Sequence, residues 1–207
     1  MTNQTLSNEW KKIKLREIAD KRTAKNRDFI YSLVLTNSAK HGIIPQTEHF
    51  DKDIAVGESI DGYFIVNEGE FVYNPRISNT APCGPIRRNH LGETGVMSPI
   101  YTVFKLKNDR INDIYMEYYL LSSAWHHYMK SIANYGARHD RMNITDASFF
   151  ALPIPFPPLP EQNAIAEILT TADREIELLT SELALHKLVK KYLMLKLLTG
   201  KIRVNLQ

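Results

Sequence analysis

Cysteine is almost absent from this 207-residue chain. Cys83 stands alone, which excludes an intramolecular disulfide and suits a reducing compartment such as the cytoplasm. No apolar run approaches the ~18 residues of a membrane span, and the polar start MTNQTLSNEWKK lacks the apolar stretch of a signal peptide, so no membrane partner is expected. Net charge is small, +3, which permits a polyanionic partner without requiring one. Catalytic signatures are missing too. There is no glycine-rich loop of the adenosylmethionine-binding type, no NPPY or DPPY string, no Walker loop, and no convincing pair of carboxylates followed by a lysine. The nearest string, YNPR at Tyr73 to Arg76, lacks the second proline and the aromatic and reads better as a strand ending in a turn. His126 and His127 are adjacent, the wrong spacing for two metal ligands on one helix face, and are expected to be structural or surface residues. With no nucleophile beside a base, the chain is expected not to be an enzyme and to need no cofactor.

Proline and glycine are also missing between Glu161 and Thr199, where Leu, Ala, Glu, Lys and Ile dominate. Such residues lose little rotamer freedom in a helix, and the stretch is expected to form one long helix. Pro157, Pro158 and Pro160 mark its beginning and Gly200 its stop. Apolar residues at Ile165, Leu169, Ala172, Ile176, Leu179 and Leu183 fall at alternating steps of four and three, the seam of a coiled coil. After Leu183 the seam positions become His186 and Lys190, and the apolar set slips to Leu185, Leu188, Val189 and Tyr192, a shift that suggests a change of partner surface partway along. About 60 Å of helix exceeds what a domain of this size needs for its own core, so a partner is expected.

Charge is sorted along the same helix. Glu161, Glu167, Asp173, Glu175, Glu177 and Glu182 occupy the first half against Arg174 alone, while Lys187, Lys190, Lys191, Lys196, Lys201 and Arg203 fill the second half and tail. Helix-dipole complementarity explains part of this, but that effect fades within one turn. Two copies laid antiparallel would pair acid with base at both ends, which makes self-association the sharper reading.

The remainder, residues 1–156, has the composition of a core-forming globule, with 43% hydrophobic and 24% charged residues over the chain. A short amphipathic helix or turn is expected around Trp10 to Ala19, anchored by Trp10, Ile13, Leu15 and Ile18. The basic stretch holding Lys21, Arg22, Lys25 and Arg27 is either a solvated loop or a phosphate contact. YSLVLTNS reads as a strand, and HGIIPQTEHF as a glycine-proline turn region. GYFIV and EFVYNP read as a strand pair about the turn Asn67 to Gly69. Pro75 to Ser98 is loop-rich and carries Arg76, Arg87 and Arg88 among turn formers, in a length of loop that is usually functional or disordered. PIYTVFKL is another strand, and INDIYMEYYLLSSAWHHYMKSIA a buried helix whose aromatics belong to the core rather than to a stacking platform. Gly136 is expected to break that helix, ahead of a turn with Arg138, His139 and Arg141 beside Tyr135 and Asn143. Arginine and asparagine are the side chains that read guanine and adenine edges through paired hydrogen bonds. The alternative is a basic loop paired with Asp140 and Asp146.

Several of these strings together resemble the specificity subunits of type I restriction-modification systems. They are W-KKIKLREIA, GYFIVNEGEFVYNPRI, GVMSPIYTVFKL, GARHDRMNITDASFFALPIPFPPLPEQNAIAEIL and LLTGKIRV, which between them span nearly the whole chain. PIPFPPLPEQNAIAEIL is similar to that family's boundary between recognition domain and spacer helix. The resemblance implies an α+β target recognition domain over residues 1–156 and a long spacer and dimerisation helix over 157–207. Specificity subunits usually carry two such domains and two such helices, so this chain corresponds to one of each. The implied function is to read one half of a split double-stranded DNA site and to dock methyltransferase subunits, and through them a restriction subunit, which carry the chemistry. Arg138, His139, Arg141, Arg76, Arg87, Arg88, Lys25 and Arg27 are the expected DNA contacts. A different class remains open: an assembly or decoy protein that occupies methyltransferase subunits without reading DNA.

Overall fold

Strand alternation decides how the core is divided. In Phe71-Val72-Tyr73 and Val103-Phe104 the aromatics fall on one face of a sheet and the valines on the other, because side chains in a strand alternate with period two. The computed structural model describes residues 10–49, 60–107, 110–135 and 140–205. The elements in order are β1 (Lys12–Lys14), α1 (Leu15–Ile18), β2 (Ala19–Arg22), β3 (Leu35–Ser38), β4 (Gly42–Pro45), α2 (Gln46–His49), β5 (Phe64–Val66), β6 (Phe71–Tyr73), β7 (Ile86–Arg88), β8 (Gly95–Met97) and β9 (Thr102–Leu106). They continue with α3 (Asp113–Leu121), α4 (His126–Ile132), β10 (Asn134–Tyr135), β11 (Met142–Asn143), α5 (Asp146–Phe149), β12 (Pro153–Pro155) and α6 (Leu159–Leu198). The architecture is α+β with a long C-terminal helix, as expected.

The central sheet runs β2-β9-β6-β7, antiparallel throughout, with Phe71 opposite Phe104 and Val72 opposite Val103. On its aromatic face Phe71 stacks on Phe104 at 5.4 Å, Tyr73 on Phe149 at 4.9 Å, and Phe150 meets Phe104 edge-on. On the other face Val72 and Val103 pack with Leu35, Ile43, Val66 and Met97, which come from the two-stranded ribbons β3-β4 and β5-β8. Buried Asn37 ties β3 to the sheet, its amide donating to the Val72 and Pro85 carbonyls at 2.7 and 3.2 Å. Gly84 sits where no side chain fits: its φ is +75°, and a Cβ there would lie 1.9 Å from the Asn74 carbonyl oxygen.

Four expectations need correction. The start of the chain is strand, one helical turn and strand rather than an amphipathic helix. Ile13, Leu15 and Ile18 are buried, but Trp10 precedes β1 and is exposed. GIIP is a strand, not a turn, because Ser38 Oγ accepts from the Lys40 and His41 amides and closes a hairpin ahead of it. β5 and β6 do not pair with each other. The turn between them is held instead by Asn89, which exchanges backbone bonds with Gly69 and Glu70, so β5 joins β8 while β6 joins β7 and β9. The helix expected from residue 111 onward is two helices. Ser122 Oγ bonds back to the Tyr119 carbonyl at 2.7 Å and accepts from the Ala124 amide, competing with the helical ladder. Beyond that break Trp125 is buried and donates to the Leu120 carbonyl.

The chain divides into two compact units, residues 1–163 and 164–207. Within the first, β1 pairs with β12, Ile13 opposite Ile154, so the beginning and end of the globule lie side by side. At its edge Gln162 is fully buried. Its Nε2 donates to the Arg110 and Pro157 carbonyls at 3.1 and 2.9 Å, and its Oε1 accepts from the Asn112 amide at 2.8 Å. The second unit is helix, ending at Gly200 in a left-handed conformation with φ +68°. Of the seam residues, Ile176, Leu179 and Leu183 are more than half exposed, Ala172 is exposed and Leu169 is at the margin. Among the described residues no helix is long and apolar enough to cross a membrane.

Candidate nucleic-acid interface

Two arginines 65 positions apart in sequence are brought face to face. Arg76 and Arg141 form an antiparallel bridge flanked by backbone bonds, Ile77 N to Asp140 O and Met142 N to Pro75 O, both 3.0 Å. Bonds that flank a pair in this way make it the non-hydrogen-bonded type, in which opposed side chains are closest. Like charges directly opposite destabilise a strand pair, so this arrangement favours an anion between or above them. Arg141 Nε makes no hydrogen bond although the atom is buried, and Asp140 Oδ2 is 3.8 Å away.

Both arginines line a cleft of about 480 Å³. Its other walls come from β3 and the residues before it (Val34, Leu35, Thr36), from Gln46 at the start of α2, from Tyr63, and from Ser98, Ile100 and Tyr101 ahead of β9. Thr36 Oγ1 and Tyr101 Oη are 3.2 Å apart and share a hydrogen bond. Two guanidinium groups, one carboxamide, hydroxyls and apolar ring surface are the kinds of group that read base edges in a groove. Gln46, Thr36, Tyr63 and Tyr101 were not anticipated from the sequence. Nothing local marks them, because their shared wall is assembled from four separate segments.

The other expected contacts divide by how fully they are engaged. Arg87 is half-buried, its guanidinium donating to the Ala39 carbonyl at 2.7 Å, and burial pushes its pKa down from the ordinary value. Arg88 donates to the Gly69 carbonyl and to Asp113 at 2.7 Å, stands 3.8 Å from Glu117, and lies over the Phe71 ring. Either would have to surrender internal bonds to meet DNA. Lys21 pairs with Asp146, and Arg22 with buried Glu70 at 2.9 Å. Lys25 and Arg27, further along the same stretch, are exposed. Gly136, Arg138 and His139 lie outside the described residues. His126 is packed edge-on against Trp125, and burial lowers its pKa. Among the described residues no group of three or more His, Cys, Asp or Glu could hold a metal ion.

The type I restriction modification DNA specificity domain, as a family, matches residues 7–185. The chain belongs to that family. The family is that of DNA specificity domains of type I restriction-modification systems. The chain is 33% identical over 102 residues to the MjaVIII type I restriction enzyme specificity subunit of Methanocaldococcus jannaschii, covering 49% of this chain and 23% of that protein. Its fold matches the type I restriction-modification S subunit of M. genitalium with a TM-score of 0.56 at 16% identity, over 94% of this chain and 47% of that one. A chain from a type I system solved for complex assembly and conformational transition gives a TM-score of 0.58 at 13% identity, over 98% and 53%. The specificity domain thus spans about half or less of the length of the relatives it matches.

Proposed function

We propose that this chain reads one half of a bipartite double-stranded DNA site through the Arg76–Arg141 cleft. We place it in the cytoplasm as an antiparallel homodimer along α6 that docks methyltransferase subunits, and through them a restriction subunit. The observation that carries the reading is the opposed arginine pair: an unfavourable juxtaposition, kept in a specificity domain, beside a cleft lined with base-reading groups. Arg138 and His139, which precede Arg141 closely in sequence, are kept as further DNA contacts in this proposal. Lys25 and Arg27 supply phosphate contacts, and Arg87 and Arg88 rank behind the cleft pair because their donors are engaged.

The dimer is supported by the exposed seam and the sorted charges of α6. The second half of that helix carries two apolar faces, one around Leu188, Tyr192 and Leu195 and another around Val189, Leu193 and Leu197. One face suits the partner copy and the other a methyltransferase subunit, since a helix apolar on several sides is one that is covered on several sides.

Arg76→Ala and Arg141→Ala test the cleft. Loss of a base-reading arginine should weaken binding by roughly 1–3 kcal/mol and relax preference at one position, whereas loss of a phosphate contact weakens all sequences alike. The measurement is affinity across a panel of single-base variants with methyltransferase subunit present. Unaltered affinity and selectivity in both variants would refute the cleft as the reading site. Selective binding by wild type would also exclude the decoy reading.

A two-fold dimer presents the same domain to opposite strands, so the target should be two inverted half-sites around an unread gap of fixed length. Some 60 Å of helix corresponds to fewer than roughly twenty base pairs at about 3.4 Å each. Deleting the heptad Ile176 to Glu182 should shorten the gap by a few base pairs and leave the half-sites unchanged, as methylation mapping with the partner methyltransferase would record. An asymmetric, ungapped target for the intact chain would rule out the homodimer.

A further inference from the structure

The loop from Asn26 to Tyr31 is built to hold two apolar side chains in solvent. Phe29 and Ile30 form its tip and are 58% and 69% exposed. Phe29 has φ +50°, and among the described residues it is the one non-glycine residue in the left-handed region. A bulky side chain there is a true outlier. Packing does not compensate it, because the ring is mostly in solvent. The strain is imposed from below. Asn26 is buried, and its carboxamide donates to the Tyr31 carbonyl at 2.8 Å while accepting from the Tyr31 amide at 3.1 Å, bolting the two feet of the loop together. The Phe29 amide closes the turn onto the Asn26 carbonyl.

Glycine or asparagine would suit this conformation better and any polar residue would suit this exposure better. A phenylalanine satisfies neither local demand, and strain maintained by surrounding structure points to use of the side chain. The position of the loop indicates the use. The Asn26 amide donates to the carbonyl of Tyr63, and both Tyr63 and Val34, three residues after the loop, line the Arg76–Arg141 cleft. Lys25 and Arg27 flank Asn26 at the foot of the loop and are exposed, two cations against Asp28 in the same stretch, a local balance that favours phosphate.

We infer that Phe29, backed by Ile30, is a wedge that enters a base step next to the half-site read by the cleft, an inference that rests on the DNA-reading assignment above. Apolar side chains that enter a duplex in this way part-unstack one step and kink the helix axis, while neighbouring cations hold the strands. The wedge would add to specificity without any bond to a base edge, by favouring steps that unstack readily, such as TA and CA.

The test starts from duplexes selected out of a randomised pool by the full chain with its methyltransferase subunit. 2-Aminopurine is then scanned through the steps flanking the selected half-site, and the end-to-end distance is read by energy transfer. Wild type should brighten one step several-fold and shorten the duplex. Phe29→Gly and Phe29→Asn relieve the left-handed strain, so both should melt no lower than wild type, select the same half-site, and lose the bright step, the bend and roughly tenfold in affinity. Phe29→Leu should retain most of the signal. Enrichment of a half-site with no bright step, or a signal unchanged in both strain-relieving variants, overturns the wedge and leaves the cleft intact. Loss of methyltransferase association in those variants, with the bright step retained, makes the tip a protein contact and also overturns it. Failure to enrich any sequence removes the cleft reading, and the wedge with it.

Discussion

Leu169→Lys together with Leu179→Lys should leave the chain monomeric at tens of micromolar, where the proposed wild-type dimer should persist. Burial of one leucine is worth about 1.5–3 kcal/mol, and in a two-fold dimer the double variant removes four, roughly 6–12 kcal/mol before any cost of burying ammonium groups. A micromolar dimer is held by only about 8 kcal/mol in total, so the loss is comparable with the whole of the association free energy. Both positions lie in the second compact unit, and Leu179 is 57% exposed in the single chain, so folding of the recognition domain should be unaffected. Its melting transition provides the control. Sedimentation velocity across a concentration series is the measurement. Wild type that stays wholly monomeric throughout that range would leave the methyltransferase subunit as the only clamp able to bring two copies together.

Gln162→Leu should strongly destabilise the first compact unit. It leaves the Arg110 and Pro157 carbonyls and the Asn112 amide without their partner, inside a site with no exposure. Each orphaned group costs about 1–3 kcal/mol, and leucine returns part of this through its apolar surface, for a net loss of roughly 4 kcal/mol. At about 2–4 °C per kcal/mol for a domain of this size, the melting temperature should fall by some 8–16 °C. Gln162→Glu separates hydrogen bonding from packing. It preserves volume but points an acceptor at two carbonyls, which raises the folded-state pKa of the new carboxyl, so stability should be lower at pH 8 than at pH 5, where protonation restores a donor. Calorimetry at the two pH values checks both variants. A leucine variant that melts with wild type would mean that water or a local shift satisfies all three backbone groups.

The long helix was legible because everything that makes it is local. Its composition, its four-and-three spacing and its proline and glycine boundaries lie within one window, and the expected span of 161–199 differs from the observed Leu159–Leu198 by one or two residues. Strands β3, β5, β6 and β9 were legible for the same reason. Their pairing was not. The partner of β5 is the three-residue β8, inside a stretch that reads as loop, and no residue of GYFIV specifies it. The same limit governs the arginines. Arg88 is indistinguishable from Arg76 in sequence, but its partners Asp113 and Glu117 arrive from a helix some 25 residues on, while Arg76 meets another arginine. Gln162 sits in a polar, helix-forming context that argues for solvent. Its burial depends on the loop at Arg110 folding back over it, which only the tertiary structure supplies.

The pairing of β1 with β12 gives the recognition domain the topology of a cassette. Its chain departs at Lys14 and returns at Pro153, strands apart by a single ladder spacing, so everything between is a closed excursion from one fixed point. Such an excursion can be exchanged for another of different length or sequence without altering where the flanking segments must lie, provided the three-residue splice keeps its register. Two crossovers, one near each strand, would therefore replace the residues between Lys14 and Pro153 and leave the sequence of the helix beyond Pro155 unchanged.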